Sequence, residues 1–265
     1  MVIFLRELAR NRKAFITWTA SLVAANVLML AFFPYMDLKM GAFDEMLKGM
    51  PKGMLSALGL ENMDLSRILP YFSYVFQYIL LFCGIYAMQF GAGILSREED
   101  EKTIEFLLAK PVKRNGVVSS KVLCLLFYIV LFNLIFIVAD YLTIEAVTSQ
   151  EYSMEAFLLL HLGLLLLQLF FASVGLLISV FIIKSSTILP LSIGVVLGTY
   201  FISIAAGVSE KLDFLKYITP FKYVNPADVI KESSIEPVYL IIICTVTVFS
   251  VAGAYLFYNR KDIAV

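Results

Sequence analysis

The 265-residue chain has few charged residues, one histidine and one tryptophan. Charged residues make up 16% of it and hydrophobic residues 60%, whereas an ordinary soluble domain is about 25% charged and about 45–50% apolar. A chain this apolar has too little polar surface to cover a soluble globule, which excludes a soluble enzyme and a disordered chain. Lysine plus arginine (21) equals aspartate plus glutamate (21), so there is no basic excess for binding nucleic acid.

Two kinds of chemical motif are also missing. The three cysteines, Cys83, Cys124 and Cys244, lie far apart in separate apolar runs, which fits neither a disulfide framework nor a zinc site. We expect them to be small buried hydrophobic residues. The chain has no phosphate-binding loop of the G-x-x-x-x-G-K-[ST] type, so we expect no ATP hydrolysis, no bound cofactor and no catalytic or metal site in this chain.

What the chain does have is long apolar runs. A helix needs about 20 apolar residues to cross about 30 Å of hydrocarbon, and six runs meet this length. The runs are continuous, unlike the alternating segments of a membrane barrel. The sequence therefore predicts one all-α transmembrane domain over residues 1–265, with spans at about 14–33, 71–95, 118–140, 155–183, 187–208 and 237–258.

The two termini, the second loop and the fourth loop lie on one side of the membrane. Together they hold more lysine and arginine than the first, third and fifth loops on the other side. This bias predicts that both termini are cytoplasmic. The residues before the first span have an apolar face with Phe4 and Leu8 and a basic face with Arg6 and Arg10. They predict an elbow helix that lies in the membrane interface.

The loops carry further predictions. Residues 184–186 are too short for anything except a tight helical hairpin between the fourth and fifth spans. Residues 41–69 have apolar residues at helical spacing, which predicts two amphipathic helices on the outer surface. Residues 209–236 are too apolar for a solvated loop and predict a re-entrant or surface-lying hairpin.

The spans themselves carry almost no charge. Lys121 and Asp140 lie near the ends of the third span, and His161, one or two turns into the fourth, is interpreted as structural. Because we find no buried carboxylate, a secondary transporter or channel is disfavoured. The uncharged polar residues favour hydrogen bonds between helices, with a substrate pathway as the alternative; they are Asn26, Gln77, Gln89, Asn133 and Gln168.

The second loop holds a dense cluster of charges over residues 96–114. Ser96 followed by Glu99 predicts a capping box, the acidic residues 98–100 would oppose the helix dipole, and Pro111 would end the helix. The pattern predicts a short cytoplasmic helix over about 97–109, tethered at both ends to spans. A solvated loop that only orients the protein is the simpler alternative.

This segment resembles a signature of the permease subunits of ATP-binding cassette (ABC) transporters of the type-2 export family. The resemblance extends over the whole chain, but only this segment is specific; Lys102 replaces a glycine that is common there. In that family the segment is the coupling helix that docks on a separate ATPase, and the elbow helix contacts the ATPase too. The resemblance assigns coupling to Arg97, Glu98, Glu101, Thr103, Glu105, Leu107, Leu108, Pro111 and Arg114.

The resemblance also implies partners and a location. Two ATPase subunits would bind ATP and magnesium, and a second permease chain, identical or different, would complete the pathway. The expected location is a multi-pass position in a cell membrane, the plasma membrane of a prokaryote. The alternative is a membrane immunity or accessory protein that binds a hydrophobic peptide or a lipid without transporting it.

Overall fold

The computed structural model describes residues 2–37, 64–101, 113–208 and 210–261, together with Gly49. Within these residues the chain is helical and has no strand. The α-helices are α1 (Val2–Ala31), α2 (Phe33–Asp37), α3 (Ile68–Asp100), α4 (Arg114–Val147), α5 (Met154–Ser179), α6 (Ile188–Val208), α7 (Pro220–Tyr223), α8 (Pro226–Glu232) and α9 (Pro237–Arg260).

The six predicted spans are confirmed as α1, α3, α4, α5, α6 and α9, each long and apolar enough to cross a membrane. Helices form here because hydrocarbon offers the backbone no water, so every N–H and C=O must bond within the segment. The predicted elbow is not a separate element. Its residues continue into the first span as one unbroken helix, α1, since residues 2–31 contain no proline or glycine to break it.

Helix α3 forms the centre of the bundle. Of its most apolar stretch 89% is buried, whereas the buried share is 17% in α6 and in α9. It packs along α5 with both helices running in the same direction. Phe72 stacks on Phe157 at one end, and Gly91 meets Ala172 further along. A Cβ on Gly175 would lie 2.5 Å from the carbonyl oxygen of Met88, so only glycine permits this close approach.

The fourth and fifth spans are joined by a short connection, as predicted, but the prediction that they form a tight helical hairpin is wrong, because α6 packs on α3 rather than on α5. Helix α5 ends at Ser179, and a 3-10 turn at Ser185–Thr187 leads directly into α6. The turn is closed locally, because the Thr187 amide and hydroxyl both donate to the Lys184 carbonyl.

The segment between α6 and α9 folds back on the bundle, as its apolar residues predicted. A 3-10 helix (Glu210–Tyr217) precedes α7 and α8. Phe221 of α7 lies against Phe171 and Tyr200 at ring distances of 5.6 and 5.3 Å. Burial raises the pKa of Tyr223 to about 12, so its neutral hydroxyl donates to the Tyr217 carbonyl at 2.5 Å.

Of two further predictions about the loops, one falls mostly outside the described residues and the other is wrong. The outer amphipathic helices predicted within 41–69 fall mostly outside the described residues. The helix start predicted at Ser96 is wrong, because α3 continues to Asp100. Ser96 is fully buried and its hydroxyl donates to the Ala92 carbonyl within the same helix, so it caps nothing.

Candidate functional site

The charged residues of the second loop meet the chain termini at one end of the bundle, which we call the N-terminal end. The start of α1, the end of α3, the start of α4 and the end of α9 all lie there. Residues 102–112, which hold most of the predicted coupling helix, lie outside the described residues. Their two flanks, 97–101 and 113–114, are described and show what the loop is attached to.

A buried ionic cluster of Glu7, Glu98 and Lys121 joins three helices at this end. The Lys121 ammonium lies 3.1 Å from Glu7 Oε1 and 3.2 Å from Glu98 Oε2, and it donates to the Ile94 carbonyl at 2.6 Å. The side chains of Lys121, Glu7 and Glu98 are 0%, 2% and 2% exposed. Charges this deeply buried persist only when they are paired, so the cluster fixes α1, α3 and α4 relative to one another.

Two further contacts join the first flank of the loop to α1. In the first, the Arg97 guanidinium donates to Asn11 Oδ1 at 3.0 Å, and the Asn11 side chain is held in turn by its bond to the Glu7 carbonyl within α1, at 2.9 Å. Arg10 forms an ion pair with Glu101 at 2.7 Å, where the side chains are 21% and 53% exposed. The end of α3 is therefore attached to α1 on its buried face and on its exposed face.

The end of α9 holds both flanks of the loop. Lys261 contacts the Glu99 carboxylate at 2.6 and 2.7 Å. Arg114 donates to the carbonyls of Asn259 and Lys261 at 3.1 and 2.7 Å. A guanidinium at these carbonyls also opposes the negative end of the α9 dipole. The loop thus begins and ends on residues bonded to the last span.

The structure brings together four of the predicted coupling residues, Arg97, Glu98, Glu101 and Arg114, each bonded to α1, α4 or the end of α9. The other five lie outside the described residues: Thr103, Glu105, Leu107, Leu108 and Pro111. Of the predicted elbow residues, Phe4 packs edge-on against Phe127 at 6.4 Å, and the Leu8 carbonyl accepts from Tyr128. Arg6 is exposed and Arg10 holds Glu101.

The polar residues of the spans divide into two groups. Asn26, Asn133 and Gln168 are buried between helices of this chain, and Asn133 donates to Gln168 at 2.7 Å. They serve as interhelical hydrogen-bonding groups. Gln77 and Gln89 are half-buried on the one open stripe of α3, and Gln77 donates to the Tyr200 hydroxyl at 3.3 Å.

The sequence interpretation missed Glu7, Lys121 and Asp140 as buried partners. The conclusion that the chain lacks a buried carboxylate is wrong, since Asp140 is 0% exposed. A signal was available, because Glu7 and Asn26 are 19 residues apart in α1, and Lys121 and Asp140 are 19 apart in α4. Two parallel helices with the same polar spacing can pair at both levels, and they do.

Comparison with known proteins adds the family. The sequence model described as ABC-2 family transporter protein matches residues 1–263. The chain belongs to the ABC-2 transporter family. A comparison with curated protein sequences found no match. The family resemblance seen in residues 97–114 is confirmed at the level of the family, and this ABC-2 chain is a multi-pass membrane protein with six candidate spans among the residues that the structure describes. Membrane proteins of the ABC-2 family generally work with an ABC ATPase.

Proposed function

We propose that this ABC-2 chain is the permease subunit of an exporter and that residues 97–114 couple it to a separate ABC ATPase. The permease does no catalysis itself; ATP and magnesium bind to two copies of the ATPase, on the cytoplasmic side of a prokaryotic plasma membrane. The observation that carries the proposal is the attachment of both flanks of the loop to α1, α4 and α9.

Through these bonds, movement of the loop would be transmitted to the helices. A push on residues 102–112 acts through Glu98 on the buried Lys121, and through Glu101 on Arg10. On the other flank it acts through Arg114 on the end of α9. Closely packed helices with paired charges move as units rather than deforming locally. Movement of a docked ATPase would therefore reach the first, third and sixth spans together.

A second permease chain, identical or different, would complete the pathway. The open stripe of α3 carries Tyr74, Gln77, Tyr78, Leu81, Phe82 and Gln89 at helical spacing, and we assign it to the pathway wall. The exposed face of α6 carries Gly194 and Gly198, where an added Cβ would meet nothing within 4 Å. Small residues four apart permit close helix approach, so we assign the partner to this face. A wall that combines phenols and amides with apolar side chains suits a lipid, a hydrophobic peptide or an amphipathic drug.

The exposed pair Arg10–Glu101 allows a test that leaves the core intact. We expect Arg10→Glu or Glu101→Arg to lower the ATP hydrolysis rate of the reconstituted permease–ATPase complex by a factor of about 1.4 to 5, the range that follows from an exposed ion pair of about 0.2–1 kcal/mol. The double reversal R10E/E101R restores the pair and should restore the rate. The matched control is the exposed pair Arg67–Asp64, 3.5 Å apart, at the opposite end of α3, whose reversal should change nothing.

Two kinds of result would contradict the proposed coupling. If no ATPase co-purifies with the chain, or if single and double reversals give the same rate, coupling through this loop is wrong. If the chain retains its biological effect when Leu107→Asp disrupts the loop, the non-transporting immunity or accessory role is favoured instead.

A further inference from the structure

A second polar cluster lies inside the spans, far from the ionic cluster. It consists of Asn26 on α1, Asp140 on α4 and His161 on α5, which are 0%, 0% and 2% exposed. Asp140 is 19 residues from Lys121 along α4, and a helical rise of 1.5 Å per residue separates the two by roughly 28 Å. The cluster is therefore independent of the proposed coupling site.

The polar atoms of the cluster lie within hydrogen-bonding distance of one another. Asn26 Nδ2 donates to Asp140 Oδ1 at 2.6 Å. His161 Nε2 lies 3.1 Å from Asp140 Oδ2, and His161 Nδ1 lies 2.9 Å from the Phe157 carbonyl oxygen. Each ring nitrogen of His161 thus faces an oxygen.

This geometry sets the number of protons in the cluster. A carbonyl oxygen can only accept, so Nδ1 must carry a hydrogen. A neutral ring then has a lone pair on Nε2, which would face the lone pairs of an ionised Asp140. The contact is favourable only if one more proton lies between Nε2 and Oδ2. Whichever of the two atoms holds that proton, the pair has no net charge.

The surroundings penalise any other state. The imidazole lies among three phenyl rings, with centroid distances of 4.4 Å to Phe157, 5.2 Å to Phe76 and 6.0 Å to Phe72. Asn26 faces the pair from α1, and the Cys83 thiol is the titratable group within electrostatic reach on α3. A net negative charge in such an apolar site is costly. Ionisable residues inside spans usually have a function.

We infer that Asp140 and His161 form a binding site for one proton, buried between the helices, and that occupancy of this site holds α1, α4 and α5 together. When the proton leaves, the buried carboxylate is unbalanced and the three helices separate more easily. Once the helices separate, both groups reach water: Asp140 ionises, and His161 is neutral above about pH 6.5, the ordinary pKa of histidine. Above that pH the separated helices hold one proton fewer than the closed pair. Stability therefore falls as the pH rises above about 6.5, by up to about tenfold in the folding equilibrium per pH unit.

Because His161 is the chain's one histidine, nitrogen NMR of the full-length chain in lipid nanodiscs reports on this site alone. With 15N-histidine labelling, we expect Nδ1 to be protonated at neutral pH and Nε2 to share a proton with Asp140 Oδ2 in a hydrogen bond. A neutral ring with its hydrogen on Nε2 and a bare Nδ1 would overturn the inference. This measurement needs no variant and no ATPase, so it stands if the proposed coupling fails.

Thermal unfolding tests the consequence. The one tryptophan, Trp18, lies 5.7 Å from Tyr86 and reports the packing of α1 on α3. We expect the wild-type transition to fall between pH 6 and pH 9 more steeply than that of Asp140→Asn, which is neutral at every pH. The control Asn133→Ala removes the α4–α5 hydrogen bond to Gln168, which lies outside the cluster, so it should unfold earlier but keep the wild-type slope. Equal slopes for wild type and Asp140→Asn would refute the site.

Discussion

Replacement of Lys121 by methionine tests the buried ionic cluster most directly. Methionine keeps an unbranched stem of similar length and removes only the charge and its hydrogen bonds. The ammonium lies within 3.2 Å of two carboxylates and donates to the Ile94 carbonyl at 2.6 Å. Without it, Glu7 and Glu98 face each other in an almost fully buried site with no cation between them.

The expected cost follows from that arrangement. Removing one partner of a buried pair destabilises a protein by about 3–5 kcal/mol, because an uncompensated charge remains. That corresponds to a loss of roughly two to three and a half powers of ten in the folding equilibrium. The triple variant with Glu7→Gln and Glu98→Gln removes the remaining charges, so it should recover a large part of the loss.

The assay is unfolding of the full chain in mixed micelles with increasing denaturing detergent, followed by Trp18 fluorescence. The matched control is Lys222→Met, which breaks a partly exposed pair with Asp228 and should cost less than about 1 kcal/mol. If Lys121→Met unfolds within about 0.5 kcal/mol of wild type, the cluster does not hold the three helices together and the reasoning is refuted.

Two other predictions concern the packing of the spans. Gly175→Ala should destabilise the chain by about 1–3 kcal/mol in the same assay, since its Cβ would collide with the backbone of α3. The control Gly207→Ala meets nothing within 4 Å and should be neutral or stabilising, and equal effects would contradict the close approach of α3 and α5. Arg114→Gln removes the guanidinium from the last carbonyls of α9 and should speed proteolysis after Asn259. An unchanged cleavage rate would show that this contact does not hold the end of the helix.

Much of the bundle could be predicted from residue patterns because each span must satisfy its backbone hydrogen bonds within its own helix. A run such as 118–140 is long and apolar, and in hydrocarbon it can only be a helix or part of a barrel. The short connection after the fourth span could be predicted from the spacing of the apolar runs, whereas the packing of α6 on α3 could not. Membership of the ABC-2 family could be predicted from the charged stretch that begins at Arg97, where residue types and spacing are specific.

The partners of the polar residues were harder to predict. In a soluble helix, an apolar stripe shows which side faces the core. In a membrane, lipid-facing and protein-facing sides are both apolar, so no apolar stripe orients α4. Lys121 and Asp140 did offer a signal, because ionisable residues within spans almost always face the protein interior, but the sequence of α4 does not name their partners. The error at Ser96 has a related origin, since a serine–glutamate pair that fits a capping box also fits the last turns of a long helix.

By itself, the sequence determined a six-span helical membrane protein with charge concentrated at the loops, because the hydrophobic effect and backbone hydrogen bonding act on each segment separately. Only the tertiary structure decided that α3 lies at the centre, that Glu7 and Glu98 share Lys121, and that Asp140 meets His161. Those contacts join residues more than twenty positions apart, and they depend on how the helices are rotated and aligned against one another. Packing sets that alignment, and the composition of a single span does not contain it.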